Sequence, residues 1–226
     1  MQVDLNADVG EGLETDDELL RIVTSANVAC GFHAGDERTM SRLSSLAAGL
    51  GVAVGAHVGY RDRDGFGRRE LDVSPAVVEA ETTEQIGLLQ EHGPVAYVKP
   101  HGALYHRATA DAACAEAIVA GTLASGGPRA MLAFPGSQLY AVARAAGLTA
   151  VAEGFADRGY DAGGRLIARS EPGALLDADA AAGQAVALAG RVGSICVHGD
   201  SPGAVALARR VADGLRAAGI DLHAFA

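Results

Sequence analysis

A lysine and a histidine two residues apart, Lys99 and His101, lie at the end of an apolar run that begins at Val95. Side chains two apart on a strand point to the same side, so an ammonium group and an imidazole would share one face where this strand ends. Among the 18 lysine and arginine residues, Lys99 is the only lysine. Lysine is a compact cation whose pKa shifts readily on burial, which favours a functional ammonium group here. The alternative is a lysine retained by chance at a strand end.

Other ionisable side chains also follow apolar runs, at the points where those runs end. They are Asp8, His33, His57, Glu153, Asp157, His198 and Asp200. In a parallel β/α barrel the carboxyl ends of the strands form one rim, where catalytic groups collect. A single histidine at a strand end is usually structural, but four histidines beside carboxylates indicate a functional rim.

Aspartate and histidine side chains can either bind a metal ion or transfer protons. No HxxEH or HExxH spacing chooses between these two uses. A divalent metal is therefore possible, and its predicted ligands, if one is bound, are Asp8, His33 and His57.

An arginine-rich stretch after the third apolar run alternates basic and acidic residues from Arg61 to Glu70. Such alternation is typical of a solvated loop of ion pairs. The alternative is that one arginine turns inward and holds a carboxylate in a bidentate pair.

Seven apolar runs alternate with alanine-rich stretches along the chain. The runs cover residues 3–5, 26–30, 52–56, 95–98, 130–134, 150–152 and 195–197. Each is short and mainly apolar rather than regularly alternating, which is typical of strands covered on both faces. Helices are predicted to start after Ser74-Pro75, after Ser201-Pro202, and at Asp36 or Ser41, because these residues are favourable at helix N-termini.

Strands and helices that alternate throughout predict an α/β fold whose strands are mostly parallel. No linker or change of composition divides the chain, so residues 1–226 are predicted to form one domain. The longest irregular stretches, 58–73 and 157–176, both follow strands and are predicted to be active-site lids.

Composition and charge exclude several classes of function. The formal net charge of −10 argues against nucleic acid or an anionic membrane as a partner. No apolar run approaches the ~20 residues that a transmembrane helix needs, and no signal peptide is visible. Three widely spaced cysteines, Cys30, Cys114 and Cys196, form no CxxC motif, which predicts a protein of the reducing cytoplasm. Cys30 and Cys196 lie in apparent strands and are predicted to be buried, inert thiols.

Several motifs resemble those of the LamB/YcsF family, in order and over nearly the whole chain. The longest are DLNADVGE from Asp4, SANVACGFHAGD from Ser25 and VKPHGALY from Val98. Shorter ones are GFGR from Gly65, FADRGY from Phe155, RS from Arg169, GAL from Gly173 and VHGD from Val197.

The characterised members of that family are the A subunits of the bacterial ATP-dependent 5-oxoprolinase. The resemblance implies a seven-stranded β/α barrel-like fold related to polysaccharide deacetylases. It also implies cleavage of 5-oxo-L-proline to L-glutamate with hydrolysis of ATP, together with subunits B and C. Which of the three binds ATP stays open, because the chain has neither a P-loop nor a strand–GxGxxG–helix unit.

Roles for individual residues follow from the resemblance and the predicted rim together. Lys99 is expected to neutralise developing negative charge, Asp8 or Asp200 to activate water, and His57 or His101 to donate a proton. Contacts to the substrate are predicted for Asn6, Glu11, His33, Arg68, Tyr105, Glu153, Arg158 and His198.

Two other interpretations stay open on the sequence. One is a metal-dependent, deacetylase-like hydrolase that acts alone through Asp8, His33 and His57. The other is a non-catalytic subunit that only positions its partners, against which the rim of ionisable residues speaks. The oligomeric state is not fixed, and a homo-oligomer is possible.

Overall fold

Seven parallel strands close into a ring that follows the order of the chain in the computed structural model, which describes residues 1–199 and 203–226. β1 pairs with β2 on one side and with β7 on the other, and this double pairing closes the barrel. The strands are β1 Gln2–Val9, β2 Ser25–Ala29, β3 Ala53–Val58, β4 Tyr97–Pro100, β5 Ala130–Ala133, β6 Thr149–Phe155 and β7 Ser194–Val197. The predicted seven-stranded parallel β/α barrel is thereby confirmed.

Helices follow the strands and cover the outside of the ring. They are α1 Asp16–Leu20, α2 Glu37–Leu50, α3 Pro75–Gln90, α4 Gly102–Ala110, α5 Ala112–Ala124, α6 Gln138–Ala145, α7 Ala178–Leu188 and α8 Ala204–Ala217. Asp36 caps α2 by accepting from the Thr39 backbone N–H, and Ser74 caps α3 by accepting from that of Val77. Both N-termini were predicted. The Ser201-Pro202 start predicted for the last helix lies outside the described residues. None of the helices in the described ranges is both long and apolar enough to cross a membrane.

The apolar core lies between the outer face of the barrel and the helices. The odd-numbered residues of β1, such as Leu5 and Val9, belong to this core together with helix residues such as Leu43 and Leu215. All three cysteines are free and buried, which confirms the burial predicted for Cys30 and Cys196. Burial of this apolar layer holds the strands in the positions from which their inner faces build the site.

The inner face of the barrel is polar, which the sequence-based prediction missed. Asp4, Asn6 and Asp8 alternate with apolar residues along β1 and are all buried. The prediction ended the first strand at Leu5 and placed Asn6 and Asp8 in a turn. β1 instead continues to Val9, because inward polar side chains find hydrogen-bond partners on neighbouring strands, which offsets the cost of burying them.

The same correction applies to three other strands. His57 lies within β3, Lys99 within β4 and Glu153 within β6, whereas the prediction placed each of them after its strand. The backbone of each residue is paired with a neighbouring strand: His57 with β2 and β4, Lys99 with β3, and Glu153 with β7. This pairing fixes its position more firmly than a loop would.

An eighth strand of two residues, β8 Asp221–Leu222, was not predicted. It pairs with Gln2 and Val3 at the start of β1. The two predicted irregular stretches are confirmed as segments without helix or long strand, since α3 begins only at Pro75 and α7 at Ala178.

Candidate active site

A cavity of about 460 Å³ opens at the carboxyl ends of the strands. Its size is that of a site for a small molecule. Nine of the residues predicted for the site line it: Asp8, Glu11, His57, Arg68, Lys99, His101, Tyr105, Arg158 and His198. Asn6, His33 and Glu153 are buried and contact lining residues from behind. Asp200 lies outside the described residues.

Lys99 is the centre of a buried polar cluster at the base of this cavity. Its Nζ lies 3.0 Å from Oδ1 of Asp8 and 2.9 Å from Oε1 of Glu153. Two further acceptors complete the cage, Oδ1 of Asn6 at 3.3 Å and Sγ of Cys196 at 3.1 Å. An ammonium group is a point charge with three donors, so it suits acceptors that surround one atom.

Charges within this cluster stabilise each other. Burial alone would lower the pKa of Lys99, but Asp8, Cys196 and Glu153 raise that pKa well above its ordinary value. Burial alone would raise the pKa of Asp8, but His57 and Lys99 hold it well below its ordinary range. Both groups are therefore charged at neutral pH. The raised pKa describes Lys99 as a lasting cation and not as a lysine tuned to lose its proton, while its predicted role in the reaction stays a prediction.

A ladder of side-chain hydrogen bonds inside the barrel orients the cluster from below. Asn27 donates to Oδ1 of Asn6 at 2.7 Å and to Oδ1 of Asp8 at 2.8 Å. The Tyr97 hydroxyl donates to Oδ1 of Asn27 at 2.8 Å. The Asp8 carboxylate is thus held by both Asn27 and Lys99, and only small motions are open to it.

Glu153 is held in a similar way from two sides. Asn6 donates to Oε1 of Glu153 at 3.1 Å, and the Tyr105 hydroxyl donates to Oε2 at 3.1 Å. Glu153 has no exposed surface and does not line the cavity, whereas Asp8 does. Of the two carboxylates beside Lys99, Asp8 is the one within reach of a small molecule.

Three imidazoles and one carboxylate form a second cluster beside the first. Oε1 of Glu11 lies 3.5 Å from Nε2 of His33, 3.7 Å from Nε2 of His57 and 3.5 Å from Nδ1 of His101. Four neighbouring strands supply these residues, since Glu11 and His33 follow β1 and β2, His57 is on β3 and His101 follows β4. The two clusters touch, because Nε2 of His57 lies 3.4 Å from Oδ2 of Asp8.

Backbone carbonyl groups orient two of the three imidazoles. Nδ1 of His57 lies 3.1 Å from the Lys99 carbonyl oxygen, and Nε2 of His101 lies 2.9 Å from that of Phe66. The remaining nitrogens, Nε2 of His57 and Nδ1 of His101, face each other at 3.0 Å.

The third imidazole, that of His33, is buried by close approach of the backbone. Its ring stacks on His101 at 4.0 Å between centroids. A side chain at Gly59 would place Cβ 2.6 Å from Nδ1 of His33, and one at Gly67 would place it 2.8 Å from Cβ of His33. Gly67 also has φ +66°, which favours glycine. Neither ring nitrogen of His33 has a hydrogen-bond partner among the described residues.

His198 and Asp157 form an ion pair at another edge of the cavity. Nδ1 of His198 lies 2.9 Å from Oδ2 of Asp157, which also accepts from the His198 backbone N–H at 3.0 Å. Burial alone would lower the pKa of His198, but Asp157 raises it above its ordinary value. Asp157 was predicted for the rim, and the structure shows that it orients His198.

Both irregular segments contribute to the cavity wall, and their role as lids stays a prediction. Arg68 and Arg169 line the cavity, one from each segment. Arg158 donates to the carbonyl groups of Ala174 at 3.1 Å and Ile167 at 2.7 Å, so its guanidinium ties the second segment together.

The rest of the first arginine-rich stretch forms ion pairs and backbone contacts outside the cavity. Arg61 pairs with Glu81 and Glu84, and Arg69 with Asp62. Arg63 donates to the carbonyl groups of Gly31 and Gly35. Arg68 is thus the arginine of this stretch that lines the cavity.

Sequence reasoning missed two residues of the first cluster. Cys196 was interpreted only as a buried thiol, and Asn27 was not considered. The thiol is indeed buried, and burial raises its pKa well above the ordinary value, so Sγ contacts Lys99 as a neutral group. The signal that would have found Asn27 is the alternation of polar residues, which runs through β2 as Ser25 and Asn27.

Comparison with known proteins gives consistent results over the full length. The family model described as LamB/YcsF matches residues 3–226. A curated relative from Streptomyces griseus, the A subunit of 5-oxoprolinase, is 51% identical over 249 residues, which cover 99% of this chain and 100% of the relative.

Solved structures show the same similarity of fold. The lactam utilization protein from Thermus thermophilus has a TM-score of 0.92 and 38% identity, and each chain covers 100% of the other. A peptidoglycan N-acetylglucosamine deacetylase has a TM-score of 0.54 at 13% identity, covering 98% of this chain and 84% of that one. The second similarity is one of fold alone, and it agrees with the deacetylase-like barrel that was predicted.

Proposed function

The chain belongs to the LamB/YcsF family, and from this membership and its site we propose that it opens the lactam ring of 5-oxo-L-proline to give L-glutamate. The relatives that support this proposal are named as one subunit, the A subunit, of 5-oxoprolinase. We infer that the chain works with two partners, subunits B and C. We further propose that ring opening is coupled to ATP.

A lactam amide resists water because its nitrogen donates electron density to the carbonyl carbon. Transfer of the ATP γ-phosphoryl group to the lactam oxygen would remove this protection and leave ADP. Water then adds to the ring carbon and loses a proton to a base. The carbon–nitrogen bond breaks, which frees the amine and leaves an acyl phosphate. A second water hydrolyses the acyl phosphate to the γ-carboxylate and inorganic phosphate.

The cluster around Lys99 is the observation that carries this proposal. Asp8 faces the cavity as an ionised carboxylate and is the group best placed to orient and deprotonate a water molecule. Lys99 keeps Asp8 ionised and remains charged when Asp8 accepts a proton. A protein that only positioned its partners would gain nothing from a buried lysine between two carboxylates.

The arginines of the cavity wall suit the second functional group of the substrate. 5-Oxoproline carries an α-carboxylate, and guanidinium groups bind carboxylates in a planar, bidentate way. Arg68 and Arg169 come from the two irregular segments and line the same cavity as Lys99 and Asp8. We therefore place the carboxylate towards the arginines and the lactam amide towards the strands.

The test is reconstitution of the three-subunit enzyme. The chain purified with the products of its genomic neighbours should release glutamate from 5-oxoproline and ATP. The chain alone should not, because it has no recognisable nucleotide motif. Rapid ATP-dependent release of glutamate by the isolated chain would contradict the division of labour. No release by the full set, with each protein folded, would contradict the proposed reaction.

A further inference from the structure

We propose that Glu11, His33, His57 and His101 bind one divalent transition-metal ion. The donor set differs from the one predicted from the sequence, since Glu11 and His101 join His33 and His57, while Asp8 faces Lys99. The site can be tested on the isolated chain, so it does not depend on the proposed function.

The spacing of the donor atoms fits such an ion. Zinc–nitrogen bonds of 2.0–2.1 Å in a tetrahedron place neighbouring ligand atoms about 3.3 Å apart. Oε1 of Glu11 lies 3.5 Å from Nε2 of His33, 3.7 Å from Nε2 of His57 and 3.5 Å from Nδ1 of His101. A fourth separation, between Nε2 of His57 and Nδ1 of His101, is 3.0 Å. All four donor atoms lie within 4.8 Å of one another.

The hydrogen bonds of His57 and His101 show why a cation belongs between them. A carbonyl oxygen can only accept, so Nδ1 of His57 and Nε2 of His101 must carry the protons. In the neutral rings, the two facing nitrogens then both present lone pairs at 3.0 Å. Two acceptors at this distance repel each other unless a positive centre lies between them. Histidines that bind metals usually donate their other N–H to a carbonyl or carboxylate, as both of these do.

His33 provides an independent observation. Its side chain is buried, and neither of its nitrogens has a hydrogen-bond partner among the described residues. Leaving such a buried polar group unsatisfied destabilises the fold. Gly59 and Gly67 leave room for the ring by lacking side chains, so the backbone is built around an imidazole whose nitrogens make no hydrogen bond within the described residues. Burial lowers the pKa of both His33 and His101, and a neutral imidazole is the form that binds metals.

The chemistry of the donors selects the class of ion. Three imidazoles with one carboxylate suit zinc, iron, nickel or copper better than magnesium or calcium, which prefer oxygen ligands. A bound ion here would polarise a carbonyl oxygen or a water molecule beside Asp8. His57 and His101 would then be ligands, and not the proton donors that the sequence predicted.

The experiment measures metal binding by the wild-type chain without an affinity tag that contains histidine. Elemental analysis of the purified protein, and calorimetric titration of the chelator-treated protein with Zn²⁺, should both give about one ion per chain. Co²⁺ in place of Zn²⁺ should give visible absorption bands of a low-symmetry site. Bound Zn²⁺ should also raise the melting temperature, because it binds the folded chain.

Two substitutions locate the site. His33→Gln removes one metal ligand and should weaken Zn²⁺ binding by at least about 100-fold. Loss of only a hydrogen bond to a metal ligand already lowers metal affinity by about 10–100-fold. His106→Gln is the matched control, because His106 lines the same cavity but does not belong to the cluster. Circular dichroism confirms that both variants are folded.

Three outcomes would overturn the proposal. One is a folded wild-type chain that binds no Zn²⁺ or Co²⁺ tightly, in which case His57 and His101 share a proton. Another is equal weakening in both variants, and the third is unchanged binding in His33→Gln. None of these measurements uses 5-oxoproline or ATP, so their failure would not be confused with failure of the proposed reaction.

Discussion

Replacing Lys99 by arginine keeps the positive charge of the cluster and changes only its shape. Four acceptors surround a single nitrogen, at 2.9 Å for Glu153, 3.0 Å for Asp8, 3.1 Å for Cys196 and 3.3 Å for Asn6. A guanidinium spreads its donors over a plane and cannot place them all at one point. We expect Lys99→Arg to fold but to lose most of its activity.

The size of each effect follows from the burial of the cage. Lys99 is only 2% exposed, so the larger side chain must displace its neighbours, at a cost of about 1–3 kcal/mol in the free energy of unfolding. Loss of one well-placed electrostatic contact in a transition state costs about 3 kcal/mol, or about a hundredfold in rate. Lys99→Met gives an upper limit for the loss of stability, because leaving two buried carboxylates without their cationic partner costs about 3–5 kcal/mol in the free energy of unfolding.

The assay compares glutamate release by the reconstituted enzyme with denaturant unfolding of the same variants. Ala143→Val is a suitable control, since Ala143 is fully buried in α6, does not line the cavity, and should lose a similar amount of stability by overpacking. The control should keep its activity below its melting temperature. Near-wild-type turnover by Lys99→Arg would refute the role of a compact ammonium, and an equal loss of turnover in Ala143→Val would show that stability alone explains the effect.

Two other predictions concern stability. The pKa of His198 is raised and that of Asp157 lowered, so their pair stabilises the fold above the unfolded aspartate pKa of about 4 and below the unfolded histidine pKa of about 6.5. The free energy of unfolding of Asp157→Asn should therefore fall furthest below that of wild type between these two pH values. The difference should shrink as the pH rises through the folded pKa of His198. A difference in urea unfolding that does not change with pH would contradict the pairing. Tyr97→Phe should lower the free energy of unfolding by about 1–3 kcal/mol, because Asn27 loses a buried hydrogen-bond donor. An unchanged denaturation midpoint would show that this hydrogen bond contributes little.

Local sequence patterns predicted the barrel strands and the starts of two helices well. Seven apolar runs became seven barrel strands, and the serine and aspartate N-caps at Ser74 and Asp36 begin helices as expected. These features depend on residues close in sequence, whose preferences act directly on the backbone. β8 was missed because two residues carry no periodic pattern. That residues 1–226 form one domain stays a prediction.

Through-space relations could not be predicted in the same way. The sequence suggested a rim that included Lys99 and Glu153, but the side-chain bond between them joins residues on β4 and β6, which are not neighbours in the ring. The contact arises because both side chains point inward across a narrow barrel, and the polar residues that alternate along β1 and β2 were not interpreted as its inner face. The tautomers of His57 and His101 depend on two backbone carbonyl groups that only the folded chain supplies.

The arrangement of the two clusters around the barrel limits how the site can work. The imidazole cluster comes from the first four strands, whereas the Lys99 cluster joins β1, β4, β6 and β7 across the interior. They share β1 and β4, and Asp8 contacts both, through Oδ1 to Lys99 and through Oδ2 to His57. A carboxylate held from both sides cannot turn towards one cluster without leaving the other. In the proposed reaction, a water molecule that Asp8 activates would therefore lie where both clusters act on it, at the boundary between the imidazoles and the ammonium group.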